Sequence, residues 1–87
     1  MMPLNYAILK YMTTVPEASA DDVIQALSSE YKGFRALSKK AVTNTLLTAE
    51  VNGLLEQTRF DLDEAGELRL FFRAHDEGKA TIAKYVK

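Results

Sequence analysis

The stretch SKKAVTNTLLTAEVNGLL, residues 38–55, decides the fold. At its end, the spacing of the apolar residues changes from that of a helix to that of a β-strand. Its first part has apolar residues at helical spacing after the potential N-cap Ser38, so the pattern predicts a helix over residues 39–52. Asn52-Gly53 ends this helix, because glycine readily takes the left-handed conformation in which helices commonly stop. The inner face of the helix is expected to pack in the core through Val42, Leu46 and Ala49.

The residues that follow alternate between apolar and polar types, which is the period of a β-strand. One alternating run covers residues 54–62 and a second covers residues 68–73, with a turn over residues 63–66 between them. Two such runs joined by a loop that contains glycine predict an antiparallel hairpin. The stretch from residue 38 to residue 73 therefore predicts a helix followed by a hairpin.

Further helices are predicted on both sides of this unit. Apolar residues at helical spacing predict a first helix over residues 4–13. Ser19 and Asp22 have the spacing of a capping box, so a second helix is expected to begin there and to end near Gly33. A final helix is predicted over residues 76–86, which gives the order helix, helix, helix, hairpin, helix.

The chain length of 87 residues fits a single domain, 1–87, with about residues 4–74 as its core unit and about residues 76–86 as a C-terminal helix. Hydrophobic residues make up 47% and charged residues 26%, which is ordinary for a globular protein and excludes disorder throughout. Because the chain has no cysteine, disulfides, thiolate nucleophiles and cysteine-ligated zinc are excluded. With one histidine, no glycine-rich phosphate loop and no acid–base constellation, we expect no metal, no cofactor and no enzyme activity.

The sequence also bears on where the protein works. No segment approaches the ~18 consecutive apolar residues of a membrane span. The apolar N-terminal stretch is interrupted by Lys10, and no basic region precedes it as in a signal peptide. We therefore expect a cytoplasmic protein without a membrane partner.

Charge is unevenly distributed along the chain. The net charge of −1, from 11 basic and 12 acidic residues, differs from the strongly basic balance of proteins that coat nucleic acid. Residues 32–50 nevertheless carry four cations against the single acid Glu50, which gives this segment a charge of +3. An anionic partner is expected to dock there.

The predicted order resembles the winged helix-turn-helix fold, and two motifs strengthen the resemblance. Residues 38–55 are similar to its recognition-helix pattern, with a capping Ser, an inner Val, a buried Leu, a second apolar residue followed by Glu, then Gly and an apolar pair. Residues 75–79, HDEGK, look like the T-x-x-G-R/K motif that starts the helix after the wing in MarR-like and PadR-like regulators. Since His75 replaces the Thr of that motif, Asp76 is expected to cap this helix instead.

The resemblance implies an α+β fold, in which a three-helix bundle carries a two-stranded antiparallel hairpin and an additional C-terminal helix. It also implies a sequence-specific transcriptional regulator that reads the major groove of double-stranded DNA with helix 39–52. Lys and Asn on that helix can reach base edges, and cations in the preceding turn would lie near phosphates. The candidate DNA-binding residues are Lys32, Arg35, Ser38, Lys39, Lys40, Thr43, Asn44 and Arg59.

The hairpin tip departs from the family pattern, because it carries acids where a DNA-contacting wing normally has arginine or lysine. These acids are Asp61, Asp63, Glu64 and Glu67. Carboxylates that face phosphate oppose binding, so the alternative function is a winged-helix module that binds protein without binding DNA. Candidate cations that gather on one face of the folded chain would favour DNA, whereas cations that are scattered or neutralised by acids would favour protein.

The terminal helices carry more apolar residues than a three-helix core can cover. Winged-helix repressors commonly pair through helices outside the reading unit, which matches two half-sites on DNA. We therefore expect a homodimer formed through the terminal helices. The candidate contact residues are Tyr6, Tyr11, Ile82, Tyr85 and Val86.

Overall fold

Residues 2–86 are described by a computed structural model, and within this range the chain is α+β, with four helices and one three-stranded antiparallel sheet. The helices are α1 Leu4–Met12, α2 Ala20–Leu27, α3 Lys39–Val51 and α4 Asp76–Tyr85. The strands are β1 Ala18–Ser19, β2 Glu56–Leu62 and β3 Leu68–Arg73. The strand order β1-β3-β2 makes β3 the central strand and leaves β2 at an edge.

Helices α2 and α3 begin at the predicted capping residues. Ser19 and Asp22 form the capping box, since the Asp22 amide donates to Ser19 Oγ at 3.3 Å and the Ser19 amide donates to Asp22 Oδ2 at 2.9 Å. Ser38 caps α3 by accepting the amide of Ala41 at 3.2 Å. The expectation that Asp76 caps α4 is wrong, because His75 Nδ1 accepts the amide of Gly78 at 3.1 Å and takes the place of the Thr hydroxyl.

Helix α2 is shorter than predicted. It ends at Leu27, well before Gly33, and the chain continues through turns to the start of α3. Ser28 Oγ donates to the carbonyl of Gln25 at 3.1 Å. Serine competes in this way for backbone hydrogen bonds, and a second serine follows at position 29, so the helix stops early.

The short strand β1 was not predicted. Ala18 pairs with Phe72 and Ser19 pairs with Phe71, which joins the residues just before α2 to the central strand of the sheet. Two residues are too few to show the period of a strand, so only the tertiary structure reveals this pairing.

The core is formed where the helices pack against one face of the sheet. Val42 and Leu46 of α3 are fully buried, as predicted, and Phe72 contributes from β3. The chain turns out of α3 at Gly53, whose φ of +78° lies in the left-handed region that favours glycine. The largest fully buried side chains are Tyr31, Phe72, Ile8, Met12, Leu46, Val23 and Val42.

Helix α4 covers the base of this core. Its residue Gly78 approaches the backbone at Leu54 so closely that a Cβ would lie 2.8 Å from the Leu54 carbonyl carbon and closer still to its oxygen. Ile82 and Val86 are buried in the same region. The motif glycine of residues 75–79 therefore has a packing role, because it allows α4 to contact the chain that leaves α3.

Candidate functional site

The predicted DNA-binding residues of α3 lie in different environments. Lys40 and Asn44 are exposed on the outer face of the helix, whereas Thr43 is half-buried beside the sheet. Ser38 is used as the N-cap. Helical spacing places Leu47 and Val51 on the same outer stripe as Lys40 and Asn44, so the stripe carries only one charge.

Lys39 is enclosed by carboxylates. Its Nζ lies 2.8 Å from Asp63 Oδ2, 3.7 Å from Glu67 Oε2 and 3.8 Å from Asp21 Oδ2. The hydrogen bond with Asp63 raises the pKa of Lys39 and lowers the pKa of Asp63. This cation therefore holds the hairpin tip against the start of α3 and is not available to an external phosphate.

Arg59 is held in a similar way on the opposite face of the hairpin. Its Nε lies 2.8 Å from Glu17 Oε2, and its guanidinium stacks 3.7 Å from the centre of the Phe71 ring. Thr58 donates a further hydrogen bond to Glu17 at 2.7 Å. The hydrogen bonds from Thr58 and Arg59 lower the pKa of Glu17, so its carboxylate stays ionised beside the arginine.

The other two arginines of the hairpin are also paired. Arg69 donates two hydrogen bonds to the carboxylate of Asp61, at 2.8 and 2.9 Å. Arg73 Nε lies 3.0 Å from Glu56 Oε1. The arginine-bearing face of the sheet is thus a ladder of ion pairs over the buried Phe71, with little positive charge left to attract an anion.

The remaining predicted cations are Lys32, Arg35 and Lys40. All three are exposed, and within residues 2–86 none of them forms an ion pair. Lys32 and Arg35 belong to the turns between α2 and α3, and Lys40 belongs to the first turn of α3. Of the five candidate DNA-binding cations, Lys39 and Arg59 are therefore neutralised by carboxylates. Lys32, Arg35 and Lys40 are free of ion pairs within the described chain.

The opposite face of the hairpin, which faces α3, is apolar. Phe60 is 67% exposed, Leu62 is 66% exposed and Leu68 is 56% exposed. Phe60 pairs with Leu70 and Leu62 pairs with Leu68, and residues opposite each other in a ladder share a face, so these side chains are neighbours. We call Phe60, Leu62 and Leu68 the apolar hairpin face.

The apolar hairpin face borders α3. Leu68, Leu70 and Phe72 line one cleft together with Lys39 and Thr43 of the helix. Thr43 neighbours both Lys40 and Leu47 on the helix surface, because these positions are three and four residues away. The apolar hairpin face and the outer stripe of α3 thus lie on either side of this cleft.

The candidate dimer residues are placed in two groups. Ile82 and Val86 are only 3% and 7% exposed, so their apolar surface is already covered within the chain and they do not form an outer contact surface. The sequence expectation for these two residues is corrected by the packing of α4 on the core. Tyr11 is half-buried against the core, whereas Tyr6 and Tyr85 are exposed.

The sequence did not reveal the apolar hairpin face. An alternating strand predicts one apolar face, and that face is normally assigned to the core. Only the structure shows that β2 and β3 extend past the part of the core they cover, which leaves the three side chains exposed. The available signal was the length of the alternating runs, since a short bundle cannot cover every apolar residue of two long strands.

Residues 2–86 contain neither a candidate metal site nor a helix that could span a membrane. Among residues 2–86, no group of three or more His, Cys, Asp or Glu side chains is arranged to hold a metal ion. None of the helices in that range has both the length and the apolar character needed to cross a bilayer.

The ion pairs at the hairpin predict a definite pH dependence. The lowered pKa of Asp63 means that its stabilising contribution is fully present above the ordinary value of 3.8 and is lost as the pH falls through the lowered value. The stabilising contribution of Asp61 depends on pH in the same direction, because its hydrogen bond with Arg69 lowers its pKa. Urea unfolding at several pH values should show the parent losing stability below this point, with the difference between parent and Asp63→Asn shrinking as the pH falls. A difference that is constant down to acid pH would contradict the assignment of the Lys39 pair.

No protein-family model matches this chain. A search of curated proteins finds no match either.

Proposed function

We propose that this chain is a winged-helix protein-interaction module, with α3 in the position of the recognition helix and β2–β3 as the wing. The order of three helices, a hairpin and a fourth helix supports this assignment. The pairing of the short β1 with the hairpin supports it as well, since it attaches the wing to the start of α2. The interaction surface is formed by the apolar hairpin face together with Leu47 and Val51, the apolar residues of the outer stripe of α3.

The single observation that carries the proposal is the exposure of Phe60, Leu62 and Leu68 as one patch. Isolated exposed apolar residues are common on protein surfaces, but contiguous exposed apolar patches mark sites of interaction. This patch lies on the side of the wing that faces α3, where a DNA-binding winged helix would need cations for phosphates. A protein partner would gain the free energy of burying this surface, at about 25 cal/mol per Å² of apolar area.

The paired cations support the same conclusion. A phosphate that approached Lys39 would have to displace Asp63 and would meet Glu67 and Asp21 beside it. The cation of Arg59 is on the other face of the wing and already pairs with Glu17. Charges held in this way fix the position of the wing and contribute little to the attraction of nucleic acid.

The proposal is tested by photo-crosslinking from the apolar hairpin face in the cells that make the protein. A benzoylphenylalanine replaces Phe60 in one variant and Tyr85 in a matched control, since the two sites are almost equally exposed, at 67% and 69%. We expect a protein adduct from position 60, absent from position 85, that is lost on adding Leu68→Lys and kept on adding Lys40→Ala. A nucleic-acid adduct from position 60, or no adduct there at all, would contradict the proposal.

A specific observation also favours a second candidate function, a sequence-specific DNA-binding regulator. Lys40 and Asn44 are exposed on the outer stripe of α3, and Lys32 and Arg35 are exposed in the preceding turns. Lys and Asn at the start of such a helix are residue types that reach base edges in the major groove.

Two variants separate the candidates, because they change the two kinds of binding in opposite directions. For a DNA regulator, Lys40→Ala weakens binding to a duplex selected from a random library, and Phe60→Lys strengthens it by adding a cation. For a protein module, Phe60→Lys abolishes partner binding, and Lys40→Ala leaves it nearly unchanged. Fluorescence anisotropy with the selected duplex over a series of salt concentrations measures the DNA arm.

A further inference from the structure

Strand β2 lies at an edge of the sheet, where its outer side has no neighbouring strand within residues 2–86. Its inner side pairs with β3. Natural edge strands are usually guarded by lysine, proline or a bulge in the exposed segment. The segment from Arg59 to Leu62 contains no lysine or proline and its two charges are opposite in sign, while the irregularity in the ladder, at Thr58, lies at its start.

The backbone groups of this edge can be assigned by alternation. The amide of Asp63 donates to the carbonyl of Glu67 at 2.9 Å, so the backbone groups of Asp63 point toward β3. Successive residues of an antiparallel strand point their amide and carbonyl groups to opposite sides. Asp61 therefore points toward β3, whereas Phe60 and Leu62 point outward, where another strand can bind them.

We propose that a second copy of this chain occupies this edge, with the two β2 strands antiparallel about a two-fold axis at Phe60. The inference rests on the proposed function, and it identifies the protein partner as a second copy of the chain. The two three-stranded sheets then form one continuous sheet. Phe60 exchanges both backbone hydrogen bonds with Phe60 of the partner subunit.

Charge complementarity selects this register. With the axis at Phe60, Arg59 lies directly opposite Asp61 of the partner subunit, and this occurs twice by symmetry, so the cross-strand pairs extend the ladder of ion pairs that Arg59, Asp61 and Arg69 already form within each chain. Moving the axis to Arg59 places two arginines opposite each other, and moving it to Asp61 places two aspartates opposite each other. The sequence Arg59-Phe60-Asp61 is therefore self-complementary only when Phe60 lies on the axis.

The same register brings the apolar side chains together. Two-fold symmetry about an axis perpendicular to the sheet keeps equivalent faces on the same side. The apolar hairpin faces of the two copies thus become adjacent, with Phe60 beside Phe60 of the partner subunit. The two Phe60 side chains contact each other across the new strand pair, so part of the apolar surface that is exposed at the edge of one copy is buried against the other.

The test uses sedimentation equilibrium of the full chain from low to high micromolar concentration. The parent should rise with concentration from the 9.7 kDa monomer to twice that mass. Arg59→Glu and Asp61→Arg each replace two attractive cross-strand pairs by two repulsive ones, so each variant alone should associate about tenfold more weakly. An equimolar mixture of the two variants should associate as the parent does, because every facing pair in the mixed dimer is attractive.

Two controls keep the result interpretable. Thermal unfolding shows whether each variant is folded, since Arg59→Glu removes the pairs with Glu17 and Asp61, and Asp61→Arg removes the pairs with Arg59 and Arg69. Tyr85→Lys should leave association unchanged; if it abolishes the dimer, the contact runs through the terminal helices and the inference is overturned. Folded variants that remain monomeric on mixing, or that dimerise individually as the parent does, also overturn it.

The failure of this inference can be told apart from the failure of the proposed function. A parent that stays at 9.7 kDa at high micromolar concentration overturns self-pairing. If position 60 is then crosslinked to a different protein, the interaction module stands without self-pairing. If position 60 is crosslinked to nucleic acid, the proposed function fails as well.

Discussion

Replacing Gly78 with alanine should lower the free energy of unfolding by roughly 3 kcal/mol, near the upper end of the usual cost of overpacking. The added methyl group would overlap the carbonyl group of Leu54, and backbone atoms cannot move aside as a flexible side chain can. Either α4 moves away from the core, which exposes Ile82, or the chain after Gly53 shifts. Urea unfolding followed by circular dichroism measures the effect.

The sign of this effect makes the test sharp. Gly78 lies inside α4, and in an open helix the change from glycine to alanine would stabilise by about 1 kcal/mol. Ala83→Gly, at an exposed position of the same helix, measures that propensity difference as a loss of about the same size. If Gly78→Ala stabilised the protein, the close approach of α4 to Leu54 would be wrong.

The second large effect is expected at Leu46. This side chain is fully buried at the centre of α3, so truncation to alanine should cost about 3 kcal/mol through lost burial and the cavity left behind. The neighbouring Leu47 is a matched control, because its side chain is only partly buried where it packs against the core, so Leu47→Ala should cost less, about 1 kcal/mol. Equal losses of unfolding free energy for Leu46→Ala and Leu47→Ala would mean that α3 turns a different face toward the core.

The two leucines also separate stability from function. Leu47 belongs to the proposed interaction surface, whereas Leu46 holds α3 against the core. Leu47→Ala should therefore weaken crosslinking from position 60 while the protein stays folded. Leu46→Ala should weaken it only through loss of the folded state.

Local signals in the sequence predicted most of the elements. The capping box of Ser19 and Asp22 fixed the start of α2, and Ser38 and Gly53 bracketed α3 within a residue of its observed ends. Each of these signals works between residues close together in the chain, by capping a helix or by permitting a backbone angle. The alternation after Leu54 likewise predicted the hairpin, because the period of a strand is local.

The missed features depend on contacts between distant residues. Lys39 and Asp63 are far apart in the sequence, so nothing local indicates that this lysine at the start of α3 is neutralised. The burial of Ile82 depends on where α4 packs, and the strand β1 exists only because β3 lies beside it. The exposure of Phe60 follows from how far the hairpin extends past the core, which the alternation of residue types does not show.

We propose that the apolar hairpin face and the outer stripe of α3 contact protein and not DNA. Amide chemical shifts of a nitrogen-15-labelled full chain test this directly, first over a dilution series and then with a mixed-sequence duplex at about 150 mM salt. The account predicts that dilution moves the amides of Phe60 and Leu62, while the duplex leaves those of Lys40 and Asn44 in place. Amides of Lys40 and Asn44 that move with the duplex would contradict the protein-interaction proposal, whereas shifts at Phe60 that do not depend on concentration would contradict self-pairing alone.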